Sequence, residues 1–290
     1  MPTKSVPKTR LSILRADSLE GIAGVIHGFS TRTSGLSKAY GSKTLNLGFT
    51  KQDSRATVER NRGLFLKDLT GSPNAPQLIT LRQFHSDLIH CVSDTTQGEL
   101  AGDGLITQAR GILLGIQTAD CLPIILVDSK RRAVGIFHAG WRGTLKRIVE
   151  KGAGEMRRHF GTRPQDIKAA IGPGIRNCCY EVGAEMRESF ESQFEYAGKL
   201  FREVEESDPV REKYPMLFLT ARAPGHSELP RKIFFDLAEA NLRQLRAIGV
   251  SRRNITVSPF CTACRTDLLF SHRAEKGVTG RMMAVVGIRN

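Results

Sequence analysis

The chain has 290 residues, of which 40% are hydrophobic, so it is long enough to bury a large core. It carries 43 basic and 29 acidic residues, and the formal net charge of +14 suits an anionic partner. No apolar run approaches the ~20 residues that a membrane helix needs, and the six unevenly spaced cysteines fit a reducing compartment. We therefore expect a cytoplasmic protein without membrane contacts.

The first residues predict a flexible basic tail. MPTKSVPKTR (1–10) contains two prolines and three cationic side chains and has no apolar core. We set this tail at residues 1–20 and a single domain at 21–290, because no linker composition interrupts the rest. Basic pairs such as Arg131-Arg132 are scattered without interleaved aromatic residues, so nucleic acid is the weaker interpretation of the positive charge.

Helices and strands are predicted in mixed order along the chain. Apolar spacing predicts a helix over 55–69, a strand region over 76–92 that carries His85 and His90, and strands at 111–117, 167–171 and 282–288. Helices are predicted over 145–160, 185–201 and from Asp236 to Gly249, and 207–231 is predicted to be an irregular excursion. Clean βαβ repetition is absent, so we predict an α/β fold, a single-domain sandwich of mixed β-sheets flanked by helices.

The stretch from Thr118 to Thr144 contains the strongest functional pattern. Two runs of aliphatic residues, 122–127 and 133–137, are separated by the polar turn 128–132, which predicts two antiparallel strands. Cys121 precedes the first strand and His138 follows the second, so both lie at the end of the hairpin where neighbouring strands are ~5 Å apart. A shared metal ion or a Cys/His dyad would both fit this placement.

The residues after His138 predict an anion-binding turn. Gly140 and Gly143 permit close backbone approach, and Thr144 is predicted to be the N-cap of a helix that begins at Leu145. Free backbone N–H groups at such a turn favour an anion, and Arg142 would add a fork of donors.

Other polar positions have two interpretations. Arg32 and Asn46 lie in turn-rich segments, STRTSG and LNLG, that suit either a cradle for a polar ligand or an ordinary surface loop. Arg62, judged from its local sequence, is predicted to lie on a solvent-exposed face of a helix. Asp103, between two glycines, is a candidate acid or base, although a turn aspartate is the more common explanation.

Many segments resemble one family, in family order, from about residue 27 to 288. They are TADCLPIILVD, HAGWRGT, HGFSTRTSGLS, LNLG, QFHSD, DGLIT, AIGPGIRNCCYEVG, FDLAEANLRQL and FSHRAEKGVTGRMMAVVGI. These motifs are similar to those of the YfiH-type laccase-domain family, first labelled multicopper polyphenol oxidases and now regarded as purine nucleoside phosphorylases with adenosine deaminase activity.

The resemblance implies a metal site. The family holds zinc through residues that correspond to His85, Cys121 and His138, although the sequence after His85 departs from the usual family pattern. Two imidazoles and a thiolate leave a fourth tetrahedral position open, as in catalytic zinc sites. Copper is the alternative metal, and Arg62 is implied in binding substrate or phosphate.

The resulting hypothesis is a zinc-dependent purine nucleoside phosphorylase, a monomer or homodimer, that cleaves adenosine, inosine and methylthioadenosine and also deaminates adenosine. We take His85, Cys121, His138 and Arg62 as catalytic. The residues assigned to substrate or phosphate are Arg32, Asn46, Arg62, Gly140, Arg142 and Gly143.

Two other enzyme classes stay open. One is a cysteine hydrolase in which Cys121 attacks an amide, such as that of a cell-wall precursor, and His138 is the base, with no need for metal. The other is a copper polyphenol oxidase. A multicopper centre uses many histidines, often in HxH pairs, whereas this chain has seven histidines and no such pair.

Overall fold

In the computed structural model, residues 11–72, 76–96, 98–205 and 231–289 are described. They divide into two compact units, one within Met1–Arg176 and Leu237–Asn290 and one within Asn177–Asp236. The single domain predicted over 21–290 stays a prediction. Among the described helices, none has the length and apolar character to cross a membrane.

The first unit contains two six-stranded sheets. The first sheet has the order β1-β2-β15-β7-β3-β5 and is antiparallel from β1 to β7, whereas β3 runs parallel to both β7 and β5. Its strands are β1 (Ile13–Leu14), β2 (Val25–Ser30), β3 (Gln77–Arg82), β5 (Leu100–Ala101), β7 (Ile112–Thr118) and β15 (Met282–Ile288).

The second sheet has the order β14-β10-β8-β9-β6-β4. The three contacts from β10 through β8 and β9 to β6 are antiparallel, and the edge strands β14 and β4 run parallel to their neighbours. Its strands are β4 (Ile89–Cys91), β6 (Gly104–Thr107), β8 (Leu122–Asp128), β9 (Ala133–Ala139), β10 (Ile167–Ile171) and β14 (Ile255–Val257).

A shared apolar core joins the two sheets. Alternate residues such as Leu114 and Val286 of the first sheet pack with Ile125 and Ile136 of the second. Helices cover the outer faces, which confirms the predicted sandwich of mixed sheets flanked by helices. They are α1 (Arg55–Thr70) beside the first sheet, and α2 (Trp141–Leu145), α3 (Ile148–Phe160) and α5 (Leu237–Ala247), of which α2 and α3 contact β9.

The helix predicted over 55–69 is confirmed as α1, with its termini capped by Ser54 and Gly71. The helix predicted from Leu145 is corrected. A short helix begins earlier, at Trp141, and Arg147, at φ 61°, separates it from the next helix. Thr144 is therefore inside a helix, where its buried hydroxyl accepts from Asn241 Nδ2 (2.9 Å).

The strand region predicted over 76–92 is two strands in different sheets, β3 and β4, joined by a loop that carries His85. His90 is on β4, where its Nε2 lies 2.9 Å from the Ala101 carbonyl oxygen. The loop allows the chain to pass from one sheet to the other, a crossing that apolar periodicity does not reveal.

The second unit is built around aromatic residues. Its three-stranded sheet has the order β11-β13-β12, formed by β11 (Glu181–Val182), β13 (Arg231–Phe235) and β12 (Phe201–Glu205). With α4 (Ala184–Glu191), it supplies Phe190, Phe201 and Phe235, whose rings meet at centroid distances of 4.6–6.1 Å. The excursion predicted over 207–231 lies almost entirely outside the described residues.

The beginning of the chain is ordered earlier than predicted. Ile13–Leu14 pair with β2, and Leu19 is buried, so the tail predicted over 1–20 is too long. Residues 1–10 lie outside the described part. The described segment around Ala16 contacts His27 on β2, whose Nε2 accepts from the Ala16 N–H (3.1 Å). Burial, and secondly the charge of Arg15, lower the pKa of His27 from 6.5 to about 4.

We predict that His27 makes folding sensitive to acid. The unfolded chain takes up this proton near pH 6.5, whereas the folded chain resists it down to about pH 4. The free energy of unfolding should therefore decrease as pH falls through this window, by about 2 kcal/mol at pH 5. Urea unfolding at pH 7.5 and pH 5, on wild type and His27→Gln, measures this; equal decreases in both proteins would contradict it.

Candidate metal centre

The β8–β9 hairpin places Cys121 and His138 together. Pro123 pairs with His138, and Cys121 lies just before β8 at the same end of the hairpin. Asp120, at φ 92°, turns the backbone into Cys121. Its carboxylate accepts from the Thr262 hydroxyl (2.6 Å) and from the Arg273 N–H (2.7 Å), and these bonds hold an unusual backbone conformation at the cysteine.

His85 approaches from the loop after β3, also with a left-handed backbone, φ 62°. Gln83 fixes the start of this loop. Its side chain accepts from the Gln117 N–H (2.7 Å) and donates to the Gln117 carbonyl (2.8 Å), so the loop is bound to the end of β7. The loop that leads to His85 is therefore held beside the end of β7, which lies a few residues before Cys121 in the chain.

The three side chains meet at distances that suit a metal ion. Cys121 Sγ lies 3.8 Å from His85 Nε2, the two histidine rings are 5.0 Å apart between centroids, and one ligand atom from each residue lies within 4.8 Å of the others. Zinc–sulfur and zinc–nitrogen bonds of about 2.3 and 2.0 Å, at a tetrahedral angle, place ligand atoms about 3.5 Å apart. The residues therefore fit a tetrahedral ion.

The carboxylate of Asp103 holds both histidines in position through hydrogen bonds. Its Oδ1 accepts from His138 Nδ1 (2.7 Å) and from the His85 N–H (3.1 Å), while Oδ2 accepts from the Ser86 N–H (2.6 Å) and hydroxyl (2.7 Å). With Nδ1 protonated and bonded, His138 presents Nε2 to the ion. One fully buried carboxylate thus sets both the tautomer of one ligand and the loop of another.

The protonation of the metal-free site follows from these contacts. Burial would raise the pKa of Asp103, but bonds from His138 and Ser86 outweigh it and lower the pKa to about 2. Burial likewise opposes charge on Cys121 and His138, yet their mutual attraction lowers the thiol pKa to about 6 and raises the imidazole pKa to about 9. Their attraction therefore favours the thiolate of Cys121 together with the protonated imidazole of His138, and metal binding would require His138 to lose that proton.

Gly140 leaves the space that the ligands occupy. A Cβ at this position would lie 2.9 Å from Cys121 Sγ, closer than real Cβ contacts allow, and 3.0 Å from His85 Cδ2, at the tight limit of such contacts. The backbone of Gly140, at φ −78°, is ordinary, so the need for glycine is purely steric. His138 is buried, Cys121 is half-buried and His85 is exposed, and the centre therefore opens to solvent on the His85 side.

The chain is similar to known proteins over most of its length. Residues 26–289 match the family described as Multi-copper polyphenol oxidoreductase laccase. The chain belongs to this family. The match confirms the predicted resemblance to YfiH-type laccase-domain proteins.

The relatives have enzyme names. The chain is 35% identical over 280 residues to Purine nucleoside phosphorylase YlmD of Geobacillus stearothermophilus, covering 92% of this chain and 91% of the relative. It is 33% identical over 230 residues to Adenosine deaminase RL5 of an unknown prokaryotic organism, covering 76% and 75%. The crystal structure of hypothetical protein YfiH from Bacillus licheniformis matches at TM-score 0.76 and 30% identity, covering 91% and 93%.

The guanidinium of Arg32 is bound by other parts of the chain. Its guanidinium donates to the carbonyls of Thr266 (2.6 Å) and Tyr40 (2.8 Å), pairs with Glu275 (3.1 Å) and lies over the Phe270 ring at 4.6 Å. These contacts use the donors of the guanidinium that we predicted to bind an anion. We correct the assignment, because Arg32 connects the chain's N-terminal and C-terminal segments instead.

Asn46 is similarly engaged. Its Nδ2 donates to Gly48 O (3.0 Å) and Asp53 Oδ2 (2.9 Å), and its Oδ1 accepts from the N–H groups of Gly48 (3.1 Å) and Arg281 (2.9 Å). The side chain is fully buried. Asn46 therefore shapes the loop and is not placed to contact substrate as predicted.

Arg62 keeps part of its guanidinium available. Its Nε donates to the Leu47 carbonyl (2.9 Å), its plane lies 4.3 Å from the centroid of Phe49, and its buried Nη2 has no hydrogen-bond partner among the described residues. Burial, and then the charge of Arg55, lower the pKa of Arg62 to about 10, so it stays cationic at neutral pH. A buried cationic donor without a partner favours an anion.

The turn after His138 has mixed outcomes. Arg142 is exposed, and its guanidinium lies 4.4 Å from the centroid of the Trp141 ring. Gly143 is buried, and a Cβ there would lie 3.3 Å from His138 O and 3.4 Å from Ser86 O. Gly143 therefore allows α2 to pack on the ligand strand, while Arg142 stays available to an incoming anion.

We predict that Gly140→Ala removes metal without unfolding the protein. The added methyl would displace Cys121 or His85 from the ion, so zinc affinity should fall by at least tenfold, the scale seen when groups that orient metal ligands are lost. Gly154→Ala is the matched control, because a Cβ there meets nothing within 4 Å. Zinc titration with a competing chelator measures both variants; equal affinity would contradict the steric role of Gly140.

Proposed function

We propose that the protein is a zinc-dependent purine nucleoside phosphorylase that cleaves adenosine, inosine and methylthioadenosine with phosphate. The observation that supports this most is the cluster of two imidazoles and one thiol whose ligand atoms all lie within 4.8 Å of one another. His85, Cys121 and His138 would hold zinc, which when bound supplies a Lewis acid beside the substrate. Copper is the alternative metal, since imidazole and thiolate ligands suit it as well.

Phosphorolysis joins a phosphate oxygen to the anomeric carbon and breaks the bond from that carbon to the purine nitrogen. The phosphate must be held beside the sugar despite its charge, a task for preorganised cationic donors. Arg62 supplies such donors, and the Phe49 ring holds its plane. Arg142, exposed after the ligand strand, adds positive charge for the approaching anion.

A chain of contacts connects Arg62 with the metal ligands. Arg62 binds the carbonyl of Leu47, and the next residue, Gly48, packs so closely on Gln117 that a Cβ would lie 2.8 Å from its Oε1. Gln117 in turn pairs with Gln83 at the start of the His85 loop. This continuity supports one site in which Arg62 and the ion act on the same nucleoside.

We also propose the accompanying adenosine deaminase activity, in which water adds to the purine at C6 and ammonia leaves. The relative named Adenosine deaminase RL5 supports it. Both reactions would use the same nucleoside pocket, so phosphate and water compete as nucleophiles, at the sugar and at the base respectively.

We predict that the zinc-loaded protein converts adenosine to adenine only with phosphate, and to inosine without it. Chromatography of adenine and inosine measures both products. Cys121→Ala should lower adenine formation by at least a hundredfold, because it removes a ligand. The control is Cys91→Ala, an exposed cysteine on β4 outside the cluster, with unchanged rates. If zinc-loaded wild type makes neither product, the purine assignment fails.

We predict that Arg62→Gln weakens phosphate binding specifically. Loss of hydrogen bonds to a charged group costs about 1.5–3 kcal/mol, so the KM for phosphate should rise about tenfold to a hundredfold while the KM for adenosine changes little. Arg60→Gln, on the exposed face of the same helix, is the matched control. Steady-state kinetics with phosphate varied measure the effect; a selective change in the adenosine KM would refute the assignment.

One observation favours a second function, hydrolysis of an amide such as that of a cell-wall precursor. Without metal, Cys121, His138 and Asp103 form a nucleophile, base and orienting carboxylate, and the attraction of His138 lowers the thiol pKa to about 6. Metal decides between the two. Amide hydrolysis by chelator-treated protein, with an acyl group on Cys121, would support the hydrolase, whereas activity only with added zinc supports the phosphorylase.

A further inference from the structure

We propose that a cavity at the opposite end of the β8–β9 hairpin binds a small phosphorylated polyol. The cavity measures about 220 Å³, and its walls include Gly24, Arg110, Asp128, Arg132, Ile288 and Arg289. Asp128 ends the seven-residue strand that begins after Cys121, so the length of β8 separates the cavity from the metal centre by roughly 20 Å. The site is therefore independent of the reaction proposed at Cys121.

The net positive charge around the cavity favours a ligand with two negative charges. Arg110, Arg132 and Arg289 are exposed, and none of them pairs with a carboxylate of the described chain. Against their three positive charges stands the single carboxylate of Asp128. A phosphate monoester carries about −1.5 to −2 at pH 7 and would neutralise the difference, whereas a zwitterionic amino acid would not. Guanidinium groups also match phosphate through paired donors.

The backbone that carries these arginines is held by hydrogen bonds. The Gly111 N–H donates to the Ile288 carbonyl (3.0 Å), and the Arg289 N–H donates to the Gly24 carbonyl (2.7 Å). These bonds fix the residues on either side of the cavity before any ligand arrives. Little ordering of the main chain is then needed on binding, which favours affinity for a small molecule.

Asp128 supplies the argument for a hydroxyl on the ligand. Its Oδ1 accepts from the N–H groups of Lys130 (3.0 Å) and Arg131 (3.1 Å), which shapes the turn that carries Arg132 at φ 51°. Its Oδ2 is buried and has no hydrogen-bond partner among the residues that the structure describes. Such an oxygen is costly to leave unpaired, and a donor hydroxyl at this wall would satisfy it.

Ribose 5-phosphate is a suitable probe, because it carries one phosphate and several hydroxyls. Calorimetric titration of the full chain should show binding that weakens at least tenfold in the double variant Arg110→Gln/Arg132→Gln. Arg157→Gln, which removes an exposed arginine of α3 outside the cavity, should bind as wild type does. Equal affinity in all three proteins would overturn the site, since binding at the metal centre alone would survive these substitutions.

Two further arms test the ligand class. Asp128→Asn should weaken ribose 5-phosphate about tenfold and leave inorganic phosphate unchanged, provided that thermal melting shows a folded variant. Inorganic phosphate that binds wild type as tightly as ribose 5-phosphate would overturn the polyol, and tighter binding of L-glutamate would overturn the phosphate. Selective loss of the sugar phosphate in Asp128→Asn supports both parts of the proposal.

Discussion

The buried carboxylate of Asp103 is the interaction on which the candidate site depends. It accepts hydrogen bonds from His138 on β9 of the second sheet and from the loop that leaves β3 of the first sheet. Taking a charge out of water is costly unless donors surround it, and here the backbone of the His85 loop, the Ser86 hydroxyl and an imidazole provide them. The same donors keep the carboxylate ionised, so it can hold a cationic or metal-bound imidazole in one orientation.

Two unusual backbone conformations lie at the candidate site. His85 at φ 62° and Asp120 at φ 92° are each at or beside a candidate ligand. Such conformations survive only where surrounding bonds determine them, and both are so determined, His85 by Asp103 and Asp120 by Thr262 and Arg273. Each of these two conformations is therefore held by hydrogen bonds at a point where the chain delivers a candidate ligand.

The hairpin and its end were predictable from the sequence, because alternating aliphatic runs and a polar turn determine which residues are neighbours. Cys121 and His138 follow from that pattern alone. His85 could not be placed from such a pattern, because its loop crosses between the two sheets. Only the family resemblance indicated it. Asp103 had a weak signal, its flanking glycines, but a Gly-Asp-Gly segment is more often a turn. Arg32 and Asn46 looked like ligand contacts because sequence cannot show which polar groups other parts of the chain will satisfy.

The two candidate functions use the same atoms in mutually exclusive ways. In the metal-free chain, the proton lies on His138 and the thiolate of Cys121 is stabilised by it, an arrangement that favours attack on a carbonyl carbon. A bound metal ion would be held by the thiolate and by the deprotonated ring nitrogen of His138, so Cys121 would no longer be free to act as the nucleophile. Gly140 argues for the second state, because space that admits no Cβ beside both Cys121 and His85 is needed for convergent ligands. A nucleophile alone would need room beside its sulfur for a substrate, whereas His85 Nε2 lies only 3.8 Å from that sulfur.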